Sequence, residues 1–355
     1  MAVQVNSSSP QLKNIPLTVE EVRERLSDKI VESIQAIVRD NMERMSQYKT
    51  DTRVLGKGVY YTMDYFNALE EKKQSKRLDH LRNNDSFYHG YASSEFFKMV
   101  PDQQSATGKM LQTFVLQRGS ASEALKSIRE GFSLIDCTGA CEIAQYTAIE
   151  SILGTEKFDA LFRADLPWPL TIGTSNVDSP LPDLRIFTKD DEDHSVSIFR
   201  KGDLIAHRNI GRYLLKHPFG LYPAFSTIFL GFSEKGEAKY TTLGLPSEGA
   251  TAAEIQDAFI EGYNQPPKEF NALTPTTLQK CFSKWSSALV RKINELKDDK
   301  ITQEDFRELG GSRVRIHCEL HAERITTLAN SSINDAIQLI NSWRQKGIVV
   351  ESKNL

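Results

Sequence analysis

SLIDCTGACEIAQYTAIESILG, residues 133–154, sets a short apolar strand, SLI, directly before a helix that opens with a cysteine. Asp136 stands as the N-cap and Leu153-Gly154 ends the helix. The thiolate is the reactive form of cysteine, and the orphan amides and dipole of a helix N-terminus favour that anion. Small residues flank Cys137 in C-T-G-A, and Gly139 has low helix propensity, so its place in a first turn suggests close approach of another group to the backbone. Two readings follow: Cys137 is a nucleophile, or it is a small packing residue with Gly139 against a neighbouring strand.

Working upstream, Ser120 and Glu123 make a capping box before ALKSIREG, a helix stopped by Gly131. Thr18 with Glu21 makes another, and Val22, Leu26, Ile30, Ile34 and Ile37 recur at helical spacing behind it. Tyr60 to Met99 mixes aromatics with charge runs such as EEKKQSKRLDHLR and reads as helices with solvated faces. Downstream, TEKFDALF begins a helix, and a Pro- and Gly-punctuated loop covers Pro167 to Pro182. DLRIFT and SVSIF read as strands around the acidic tip KDDEDH, followed by strands in KGDLIAH, FSTIFLG and AKYTTLGL. The last third reads as mainly helical. Leu278, Cys281, Phe282, Trp285, Leu289, Ile293 and Leu296 trace one face of a long helix, and INDAIQLINSWRQKG makes another. SRVRIHCELHAERI fits either a strand or a helix.

The order, a cysteine helix followed by a small antiparallel sheet, is that of papain-like thiol enzymes. The expected fold class is therefore α+β: a papain-like core, with the cysteine at a helix N-terminus packed on the sheet, and helical N- and C-terminal extensions. The expected divisions are a disordered start at 1–16, a helical region at 17–104, the core at 105–265 and a mainly helical region at 266–355.

The 355 residues are 39% hydrophobic and 26% charged, with a net charge of −3, an ordinary globular composition without the basic field that draws proteins to nucleic acid or anionic lipid. Four cysteines are too few for a disulfide scaffold. No apolar run approaches the roughly 20 residues of a membrane helix, and MAVQVNSSSPQLKN lacks a secretory pattern. These features point to a cytoplasmic protein, with signal-free export into a host cell as the other route consistent with them.

The segment from Ile135 to Phe162, IDCTGACEIAQYTAIESILGTEKFDALF, resembles the nucleophile region of the bacterial spore-type transglutaminases (protein-glutamine gamma-glutamyltransferases). The resemblance continues through KGDLIAHRNIGRYLLKHPFGLYPAFSTIFLG, with its G-D strand, K-H-P turn and strand ending in L-G, and reaches TAAEIQDAFIEGY. It covers roughly residues 105–265. D-C-T-G followed by K-G-D-L-I is also similar to the NlpC-type cell-wall peptidases, which share the papain-like core.

The resemblance implies thiol acyl transfer on protein glutamine, as transamidation, cross-linking or deamidation, with no cofactor. Cys137 would be the nucleophile and Asp136 the flanking acid. Its implied partners are a glutamine-bearing protein and a lysine or amine acceptor, with no nucleic acid or membrane; the flanking helices would hold a partner. Where the family has its acidic catalytic residue this chain has Phe225, and the later histidine falls near Thr242 or Leu243. His207, ending KGDLIAH, is the candidate replacement base, and Asp203, matching the G-D aspartate, is a further catalytic candidate. Thr138, Gly139, Phe225 and the K-H-P residue His217 would line the substrate pocket. The alternatives are a catalytically degenerate binding protein in which Phe225 fills the old site, and a cysteine peptidase or amidase. Metal is not expected: the Cys137–Cys141 spacing is wide for a zinc knuckle, and on a strand His317 and Cys318 would face opposite ways.

Overall fold

The computed structural model describes residues 15–50, 58–61, 90–93, 95–101, 112–130, 135, 137–172, 184–189, 198–208, 224–264, 300–308 and 314–345. Outside them lie the expected disordered start, the charge run 70–82, most of the SLI strand, Asp136, the acidic tip with His194, the K-H-P turn with His217, and the long helix with Cys281 and Trp285.

In chain order the elements are α1 (Val19–Thr50), β1 (Gly58–Tyr61), β2 (Gly90–Ser93), β3 (Phe97–Pro101), β4 (Gln112–Leu116), α2 (Ala121–Arg129), α3 (Cys137–Leu153) and α4 (Thr155–Leu161). They continue as β5 (Thr171–Ile172), β6 (Arg185–Lys189), β7 (Leu204–Arg208), β8 (Ala224–Phe232), β9 (Ala238–Thr241), α5 (Ala252–Asn264), α6 (Gln303–Glu308), β10 (Val314–Leu320), α7 (Ala322–Asn330) and α8 (Ile333–Gln345). The fold is α+β. Both predicted N-caps form: the Thr18 hydroxyl accepts from Glu21 N while Glu21 Oε2 accepts from Thr18 N, and Ser120 Oγ accepts from Glu123 N.

The main sheet is antiparallel, in the order β6-β10-β7-β8-β9. Here the structure departs from the expected division of the chain. The C-terminal region was expected to be mainly helical, yet β10 inserts between β6 and β7 and is a central strand of the sheet. The ambiguous SRVRIHCELHAERI segment resolves into this strand followed at once by α7. The N-terminal region likewise supplies strands: its GYAS and FKMVP segments are β2 and β3, where helices were expected, and β3 pairs with β4. In SVSIF, Ile198 and Phe199 belong to no strand.

Side chains alternate between the two faces of this sheet. Leu204, Ala206, Ile228 and Cys318 join the main core with α1 and α3. Ile205, Phe229 and Tyr240 join a second core with Phe199, Ala250 and Ile255 of α5. Helix α3 packs against α1, α2, α4, α7 and β8. Gly202, at φ +93°, brings the turn before β7 onto α1, where a Cβ would lie 3.0 Å from Ser27 Cα.

Two side chains fasten the terminal helices. Asn330 accepts from Leu17 N at 2.9 Å and donates to Leu17 O at 2.8 Å, holding the chain before α1 against the end of α7. Lys157 Nζ donates to the carbonyls of Leu328, Ala329 and Ser331 at 2.9, 2.7 and 2.7 Å, satisfying orphan acceptors at the C-terminus of α7. Replacing it by methionine keeps the aliphatic packing and deletes three charge-assisted bonds. Urea unfolding of Lys157→Met is expected to show a loss of about 2 kcal/mol with an unchanged slope.

Candidate active site

Cys137 is the first residue of α3 and half-buried, whereas Thr138 through Ile149 are all buried. Cys137 therefore stands at the less buried end of an enclosed helix. Two strands hold this first turn. From β8, Ser226 Oγ lies 2.9 Å from Thr138 Oγ1. From the end of β9, Thr242 donates its hydroxyl to the Cys137 carbonyl at 3.3 Å, and the same oxygen lies 3.8 Å from Cys141 Sγ. Gly139 is buried in the same turn. Burial pushes the Cys141 thiol well above the ordinary cysteine range, so one turn below Cys137 sits a thiol held protonated.

The structure does not bring His207 to Cys137. His207 is register partner of Phe225, and both lie on the sheet face away from α3. Its ring packs edge-on against Tyr240 at 5.0 Å between centroids. Because Thr227 Oγ1 donates to Ile205 O, it accepts from His207 Nε2–H at 3.1 Å. Burial lowers the His207 pKa to about 4, leaving a neutral histidine inside the second core. A proton acceptor for the Cys137 thiol must share its side of the sheet, so His207 is corrected from candidate base to core residue.

Phe225 is corrected for the same reason. Its ring meets Phe259 of α5 at 5.2 Å on that opposite face, so it does not line the space before Cys137. Strand parity puts the adjacent residue on the side of α3: Ser226 shares its face with Ile228 and touches Thr138. Alternation along FSTIFLG is the sequence signal for this placement, one position from Phe225.

Asp203 also lies apart. It precedes β7 by one residue, whereas the register partner of Ser226 is Ala206, about 10 Å farther along the strand. Its Oδ2 accepts from Arg200 N at 2.7 Å and lies 2.6 Å from His317 Nε2. This buried pair joins the turn before β7 to β10 and leaves His317 Nδ1 buried with no hydrogen-bond partner among the described residues. Asp203 is thus a structural residue of the turn. As strand alternation requires, Cys318 faces the opposite side, into the main core.

Asp136 and His217 lie outside the described residues. Among the described residues, no helix is long and apolar enough to cross a membrane.

No family model matches the chain. No curated protein matches it either. Among solved structures, a "Transglutaminase from Geobacillus stearothermophilus (without C-terminal extension)" is similar over 88% of this chain and 98% of that one, with a TM-score of 0.44 and 13% sequence identity.

The placement of His207 has a measurable consequence. Its folded pKa near 4 lies below the ordinary value of 6.5, so on acidification the unfolded chain takes up this proton first. The contribution is complete above about pH 6.5 and is lost as pH falls towards 4. Between those limits the wild-type chain is expected to lose about 3 kcal/mol more unfolding free energy than His207→Gln, measured by urea titration at stepped pH.

Proposed function

We propose that the chain is a thiol acyltransferase of the transglutaminase kind, acting on glutamine side chains of proteins through a Cys137 thioester. The observation that carries this reading is the position of Cys137: half-buried, first in a 17-residue helix whose next twelve residues are buried, and faced by two strands of an antiparallel sheet. This position supports the papain-like relation of nucleophile to sheet expected from the sequence. The dipole of a long helix favours a thiolate at its first turn, while the buried alternative, Cys141, is held as a thiol.

In the reaction the Cys137 sulfur attacks the glutamine carboxamide carbon, the C–N bond breaks, and the nitrogen takes the proton that the thiol gave up and leaves as ammonia. An amine then takes the acyl group to give a cross-link, or water takes it to give glutamate. The binding-only alternative has Phe225 filling the old site, but Phe225 packs against Phe259 on the other face of the sheet.

Iodoacetamide alkylation followed by peptide mass spectrometry tests the nucleophile directly. At pH 7 Cys137 is expected to react about five- to tenfold faster than free cysteine, with Cys141 and Cys318 protected by burial. With a glutamine-rich protein and a fluorescent primary amine, Cys137→Ala is expected to abolish both incorporation and deamidation. Ordinary Cys137 reactivity together with no amide-derived product would reject the reading.

A further inference from the structure

The first turn of α3 is tied to the sheet by a chain of three groups. The Thr242 hydroxyl has one proton, which it donates to the Cys137 carbonyl, so towards Cys141 its oxygen is an acceptor. The Cys141 thiol supplies the matching proton. The bonds therefore run in one direction, from Cys141 S–H to Thr242 Oγ1 and from Thr242 O–H to Cys137 O. Thr242 is fully buried at the end of β9 and follows a strand locked by its bonds to Ala250. A shift of Thr242 thus moves the peptide that carries the nucleophile.

From this geometry we infer that Thr242 is the positioning residue of Cys137, fixing the peptide of the thiol at the helix N-terminus through the Cys141–Thr242–Cys137 relay. The inference rests on the reading of Cys137 as nucleophile and adds a residue that acts through it. Helix-dipole stabilisation of an anion falls off within the first turn, so reactivity depends on how well that turn is held. Ser226 makes an independent attachment one residue on, to Thr138, and keeps the helix start docked when Thr242 is altered. Valine matches threonine in shape and removes the hydroxyl alone. Serine restores the hydroxyl without the methyl group.

The test is the pH profile of Cys137 alkylation from pH 5 to 9, read by peptide mass spectrometry on the full chain. Thr242→Val is expected to raise the midpoint by about half a unit and slow the reaction at pH 7 about threefold, because rate follows the thiolate fraction. Thr242→Ser is expected to return the midpoint to the wild-type value. Loss of packing alone would not shift a midpoint that the serine variant restores. An unchanged midpoint in Thr242→Val, or a serine variant that behaves like valine, overturns the positioning role while leaving Cys137 as nucleophile. A wild-type midpoint in the range of free cysteine overturns both.

Discussion

Helix α3 has no solvent-facing stripe along its first three turns, and the rest of the molecule is arranged to satisfy that constraint. A helix buried all round must be enclosed on every side. Here α1, the α2–α4 pair, α7 and the sheet supply the walls. Enclosure also traps polar groups. Glu142 and Gln145 on α3 are fully buried, and Arg185 at the start of β6 reaches both, with Nη1 3.8 Å from Glu142 Oε1 and Nη2 donating to Gln145 Oε1. Leaving either charge alone in such a place would cost several kcal/mol, about 3–5 for a broken buried pair. The sheet is thereby held to the helix by charge as well as by apolar contact.

The same enclosure separates the two cysteines of α3 by depth. Cys137 and Cys141 differ by a single turn. The first lies where the walls end, and the second lies where they are complete. Two residues of one type thus sit in different surroundings, and burial raises the pKa of the deeper thiol. The two faces of the sheet impose a similar sorting: a histidine one position along β7 would have been on the side of α3, whereas His207 is sealed into an aromatic cluster.

Much of this architecture is legible in the sequence. Both N-caps, the extent of α3, and the strands in KGDLIAH, FSTIFLG and AKYT follow from local signals that tertiary structure does not override. What escaped was non-local. The motif around Phe225 does not carry strand parity, and it is parity that sets Ser226, not Phe225, on the side of α3. VRIHCEL carries the β-branched alternation of a strand, yet only the sheet shows that it belongs between β6 and β7. GYAS and FKMVP were obscured by the charged residues preceding them, since a short edge pairing carries less periodic signal than a long amphipathic helix.

The position of β10 governs the order in which the protein can assemble. Strands β7, β8 and β9 are neighbours in sequence and in space, and can pair soon after they are synthesised. The link from β6 to β7 has no such shortcut: among the described residues β6 reaches β7 only through β10, a strand that comes more than a hundred residues later, by way of Arg185↔Leu320 and Leu204↔Cys318. Until that strand arrives, β6 is separate from the rest of the sheet, and Arg185 with it. Closing so long a loop is entropically slow, so the buried charge on α3 receives its partner late in folding, when the last sheet strand threads into place.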